Sequence, residues 1–150
     1  MMSVQPSMIL YNHIPVAFFC AILKKKAQEV SYMELKSLSN KKFAYQCIQL
    51  LKVHGKLDSK NINILTNADL CQRMFLCSSC FPVLQEVPIG SSDEELIPYC
   101  YDVTGRQRYY KDIIVSQNKG YVITNHWYGP NKSMPDNRSS FEKWVIEQIG

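Results

Sequence analysis

Apolar residues recur at helical spacing along the first half of the chain and at strand spacing only late in it. Val16, Phe19, Cys20 and Leu23 share one helical face, Pro15 suits a first turn, and three lysines follow at 24–26, so a helix is expected over about 16–30. Residues 1–12 read as irregular or a short strand, and 31–39 as a short helix or turn. Asn40 is the expected N-cap of a helix from Lys41 to His54, which carries Phe43, Cys47, Ile48, Leu50 and Leu51, with Ala44 on the flank. Gly55 can end it in the left-handed conformation. A loop is expected over 58–63, and then Thr66 as the cap of a helix over 67–76, with Asp69 standing in for a capping-box glutamate.

From Cys77 to Pro88 neither period dominates, because Pro82 and Pro88 fence off too short a run. Gly90 to Glu95 reads as an exposed acidic loop. Beyond Pro98 the texture changes. Arg106 to Val115 and Tyr121 to Asn125 are rich in Tyr, Ile and Val, and are expected to form a hairpin over about 106–125. Its loop, Ser116 to Gly120, offers glycine where positive φ is needed. A polar loop follows from His126 to Asn137, and Ser139 or Ser140 is expected to cap a last helix, Phe141 to Ile149. Its Phe141, Trp144, Val145 and Ile149 share a face. Several N-terminal helices, a small antiparallel sheet and a C-terminal helix define an α+β fold, expected to be a single domain over 1–150.

Composition adds a charge pattern to this outline. Net charge is +4, unevenly spread: nine lysines face three acids over 24–60, one arginine faces five acids over 61–100, and seven bases face five acids from 101 onward. A basic first half and a basic hairpin together suit a polyanionic partner. The apolar run Ile14 to Leu23 is too short to span a bilayer, and it lacks a basic residue before it and a cleavage site after it. The expectation is therefore a cytoplasmic protein with no membrane partner, whose six cysteines are reduced and mostly buried.

Candidate chemistry is sparse. Cys77 and Cys80 have a zinc-knuckle spacing that Cys71 and Cys100 could complete, but a second tight pair is missing, so no metal or other cofactor is expected. His13, His54 and His126 lie far apart; His54 beside Gly55 suits a helix C-terminus. No phosphate loop, nucleophile elbow or paired-carboxylate pattern occurs, and an enzyme is not expected. Binding chemistry concentrates late in the chain. Arg106 and Arg108, two apart on a strand, would share a face. Asn125, His126 and Trp127 follow the second strand, so forked cations, an amide and an indole gather where phosphates and base edges could be met. An alternative is a protein-interaction or inhibitor module, of phage or mobile-element type, anchored on Trp127 and Tyr128.

The run Gly105-Arg106-Gln107-Arg108-Tyr109-Tyr110, the strand Tyr121-Val122-Ile123-Thr124-Asn125 and the closing helix resemble the C-terminal DNA-binding domain of SeqA, the negative modulator of replication initiation. The resemblance covers 105–149, an ending also similar to that of small bacterial proteins of unassigned role. It implies a helical domain with a small antiparallel sheet that binds duplex DNA, Arg106 and Arg108 matching DNA-contacting arginines and Asn125 the first asparagine of a base-reading loop. That family reads hemimethylated GATC through a loop continuing Thr-Asn-Thr. Here His126-Trp127-Tyr128 follow instead, with Pro130 and Pro135 in a longer insertion. DNA binding, with the lysines at 24–26, 41 and 42 extending the phosphate contacts, is therefore implied without that sequence preference.

Overall fold

In the computed structural model, residues 35–78 and 81–150 are described, and those from Leu35 to Gly150 form one compact unit. The expected helix over 16–30, its lysines at 24–26, His13, Cys20 and Cys80 lie outside the described residues. So does the first part of the domain expected over 1–150.

Helix α1, Asn40–Val53, buries the stripe of Phe43, Ala44, Cys47, Ile48, Leu50 and Leu51. Its N-cap is Ser39 rather than Asn40. The Asn40 amide is engaged elsewhere: it donates to the Trp127 carbonyl at 2.9 Å and accepts from Arg138 at 2.8 Å. Gly55 follows with φ +70°, the left-handed stop that glycine tolerates. The stretch expected as loop from 58 to 63 is instead helix α2, Ser59–Leu65. Asp58 caps it, accepting from the Asn61 amide at 3.0 Å, while Ile62 and Leu65 turn into the core with Leu57. Thr66 therefore ends α2, its hydroxyl donating back to the Ile62 carbonyl at 2.8 Å. Asn67 caps helix α3, Ala68–Phe75, through a 3.0 Å bond from the Leu70 amide.

The indeterminate stretch after α3 contains strand β1, Leu84–Val87. A four-residue helix, α4 (Ile97–Cys100), precedes a long irregular segment, and then come β2 (Ile114–Ser116) and β3 (Lys119–Ile123). The sheet is antiparallel in the order β1-β3-β2, with Leu84 opposite Ile123 on one side and Ile114 opposite Tyr121 on the other. Residues 106–113 are not strand as expected; only single bridges at Tyr101–Gln107 and Tyr109–Thr124 tie that stretch in. The β2–β3 turn is made by Gln117 and Asn118, with φ of 54° and 64°. That double positive φ is the geometry matching strand twist in two-residue hairpins. Gly120 does not supply it. Its role is close approach: a Cβ there would lie 2.9 Å from the Val87 carbonyl oxygen.

Helix α5, Asn137–Ile149, starts before the expected Phe141, because Asp136 caps it by accepting from Ser139 N–H at 2.9 Å. Its Phe141, Trp144, Val145 and Ile149 meet α1 and α3 in the larger core cluster. Strand β3 is buried on both faces: Tyr121 and Ile123 enter that cluster, whereas Val122 joins Val87, Leu96, Cys100 and Tyr109 in a smaller one. The fold is thus α+β, with five helices and a three-stranded sheet among the described residues.

Candidate functional site

The second core cluster explains how the two arginines are held. After α4 the chain reverses through a tight turn at Asp102, closed by Asp102 N–H to the Arg106 carbonyl and Gly105 N–H to the Asp102 carbonyl, each 2.9 Å. Gly105 sits at φ +84°. Inside the turn, Asp102 Oδ1 accepts from Thr104 N–H (2.9 Å), Thr104 Oγ1 (2.6 Å) and Arg106 N–H (3.0 Å). Its other oxygen, Oδ2, accepts from Arg108 Nε at 2.6 Å. Hydrogen bonds from Thr104 and then Arg108 hold this carboxyl well below the usual carboxylate range. Arg106 and Arg108 thus project from a side-chain-braced turn and not from one face of a strand.

Arg108 is a fixed cation. Besides Asp102, its Nη1 lies 3.0 Å from His126 Nε2, and its guanidinium sits 4.7 Å from the Phe81 ring centroid. A guanidinium only donates, so His126 Nε2 accepts and the imidazole is neutral with its proton on Nδ1. Burial first, then the charges of Arg108 and Arg106, push the His126 pKa below its ordinary value, against the pull of Asp102. Arg106 is exposed. The structure brings Arg106, Arg108 and His126 together on one cleft of about 400 Å³, which Ser78, Tyr128 and Asn137 also line. Asn137 fixes the loop behind it, donating to the His126 carbonyl and accepting from the Tyr128 amide, both at 2.8 Å.

Two expected site residues do not join them. Trp127 is 3% exposed, and its Nε1–H donates to the Thr124 carbonyl at 2.8 Å. Its ring lies 5.5 Å from Phe43 and 5.1 Å from Phe141, so it is core and neither stacks on a base nor anchors a partner. Asn125 donates through Nδ2 to the Gln107 carbonyl at 3.1 Å, while its Oδ1 is buried without a hydrogen-bond partner. That amide is turned into the protein instead of toward a base edge. Lys41 is engaged as well, 2.9 Å from Asp112 and 5.7 Å from the Tyr110 centroid. No protein-family model, curated protein or solved structure matches this chain. The SeqA-like reading rests on the residues of 105–149 alone.

The described residues contain no group of three or more metal-ligating side chains, and Cys80 of the expected zinc constellation lies outside them. Cys71 accepts from the Val83 amide and donates toward the Ile64 and Leu65 carbonyls, each at 3.4 Å. Burial pushes its thiol up to about 11 and that of Cys77 up to about 12, which disfavours the ligating thiolate. No helix among the described residues is long and apolar enough to cross a membrane. Sequence reasoning missed Asp102, the residue that organises the site. Its signal was Asp102-Val103-Thr104-Gly105, an aspartate two residues before a hydroxyl and three before a glycine, the composition of a self-bonded turn.

Proposed function

We propose that this chain is a non-enzymatic, cytoplasmic module that binds duplex DNA through the cleft of Arg106, Arg108 and His126. The observation that carries the reading is their convergence: an exposed guanidinium, a second one preset by Asp102 and Phe81, and an imidazole line one concavity. A guanidinium already oriented loses little freedom when a phosphate oxygen arrives, and Arg106 at the surface supplies the steerable charge. Ser78 and Tyr128 add polar groups to the same wall. Base reading by Asn125 and stacking by Trp127 form no part of the mechanism, so affinity would come from the backbone and depend steeply on salt.

The test is fluorescence anisotropy with duplex, single-stranded and hemimethylated DNA at two salt concentrations, on the native chain and on Arg106→Ala. Duplex binding should weaken in the variant, and the slope of log affinity against log salt should fall by about one. Unchanged binding in Arg106→Ala would reject the cleft. Binding of a protein but no DNA would favour an interaction module instead.

A further inference from the structure

The cleft of Arg106, Arg108 and His126 also has an apolar wall, made by Leu76, Met134 and Pro135. Leu76 and Met134 are each 49% exposed, and Pro135 is exposed as well. Leu76 is the more telling of them. It closes α3 with φ of 62°, in the left-handed region that glycine or asparagine ordinarily fills at a helix end. A leucine there costs backbone strain, and with its side chain half in water it recovers little of that through burial. Its amide donates to the Gln72 carbonyl at 3.0 Å, a bond that any residue but proline would make, so the cap itself does not call for leucine. Strained residues other than glycine cluster where ligands are held.

The space these walls enclose, about 400 Å³, lies near the lower end of the range for small-ligand sites and suits a single nucleotide unit. An intact duplex does not fill it. Its phosphates lie on a convex edge and its bases are paired and stacked, so the apolar wall would meet nothing apolar. A nucleotide at the end of a duplex leaves the stack at small cost. Its base can then lie against Leu76, Met134 and the half-buried Tyr128. Its terminal phosphate carries more charge than an internal one, which suits two guanidiniums on one small concavity. Asp102 offsets part of the Arg108 charge through the 2.6 Å bond to Nε, whereas Arg106 stands exposed.

We propose that the cleft holds the unpaired, 5′-phosphorylated terminal nucleotide of a DNA duplex, which makes the chain a binder of DNA ends. This rests on the DNA-binding reading of the same cleft and narrows its substrate. The phosphate sits at Arg106 and Arg108, and the base covers Leu76 and Met134, taking their exposed apolar surface out of water. The paired part of the duplex stays outside and adds salt-dependent contacts at the rim.

Fluorescence anisotropy of the full chain, with the dye on an internal base, tests the proposal on duplexes of equal length at one salt concentration. One has a short 5′-phosphorylated overhang, one the same overhang ending in a hydroxyl, and one is a dumbbell closed by hairpins with no free end. The phosphorylated overhang should bind about tenfold or more tighter than the dumbbell. Loss of the terminal phosphate should cost roughly fivefold. Leu76→Gly relieves the left-handed strain and so keeps the fold, but it removes the apolar wall. It should shrink the preference for the overhang over the dumbbell by about threefold to tenfold. Met134→Ala should shrink it in the same direction. A dumbbell bound as tightly as the phosphorylated overhang, or a preference that survives in both variants, would overturn the end-binding proposal and leave duplex binding standing. Failure to bind any of these DNAs would overturn both.

Discussion

The indole N–H of Trp127 bonds to the carbonyl of a residue only three positions earlier, and that short reach swings the ring inward between Phe43 and Phe141. Trp127→Ala should therefore cost about 3–5 kcal/mol in urea unfolding, the range for truncating a buried aromatic. A loss below about 1 kcal/mol would show that the ring is not core. From sequence alone, Trp127 followed an amide and a histidine in a polar stretch and so read as exposed. What inverted that reading is the distant meeting with Phe43 and Phe141. Arg106 and Arg108 were legible as a basic pair because side-chain charge needs no fold to be seen. Their support was not, since it depends on Asp102 being brought back by a turn and on Phe81 arriving from before β1. Asn125 failed as a base reader for a related reason: its nearest backbone acceptor, the Gln107 carbonyl, lies on the same returning segment.

At the level of elements, helices with a broad apolar stripe were readable, as α1 and α5 show, because a periodicity of several turns outweighs any single residue. Caps drifted by one position at the polar pairs Ser39-Asn40 and Thr66-Asn67, and further at α5, from Ser139 or Ser140 to Asp136. Helix α2 escaped notice because its seven residues offer only Ile62 and Leu65 as buried apolar anchors, its third buried residue being the polar Asn61. Strand β1 is four residues long, with only Leu84 and Val87 buried, so it has no alternation to read. The hairpin makes two opposite predictions for small changes. Gly120→Ala would press a methyl against the Val87 carbonyl and Ile113, and should destabilise by about 1–3 kcal/mol while weakening β1–β3 pairing in amide hydrogen exchange. Asn118→Gly relieves a positive φ at a solvent-exposed turn and should stabilise by on the order of 0.5 kcal/mol in the same unfolding assay. Stabilisation by alanine at 120 would refute the close-approach role.

For the described unit as a whole, three titrating groups pull stability in different directions with pH. Asp102 has a depressed pKa when folded, so its contribution is present above the ordinary carboxyl value and is lost as pH falls through the folded one. His126 is depressed as well: the unfolded chain takes the proton first, and stability drops as pH falls below the ordinary imidazole value. Glu142 is raised, so its effect is opposite, and stability declines as pH rises from the ordinary carboxyl value toward the folded one. Thermal melts between about pH 7 and pH 5 should therefore show a fall that His126→Gln removes, because an amide oxygen can accept from Arg108 without titrating. A fall that survives in His126→Gln would mean another group is responsible.

Helix α5 also governs the timing of synthesis. Phe43 and Phe75 are fully buried against Phe141, and Phe75 also meets Trp144, so the larger core is completed by residues translated about a hundred positions after α1. Until that last helix clears the ribosome, both phenylalanines lack those neighbours, and a nascent chain halted before Asn137 presents a greasy surface to whatever chaperone or protease meets it first.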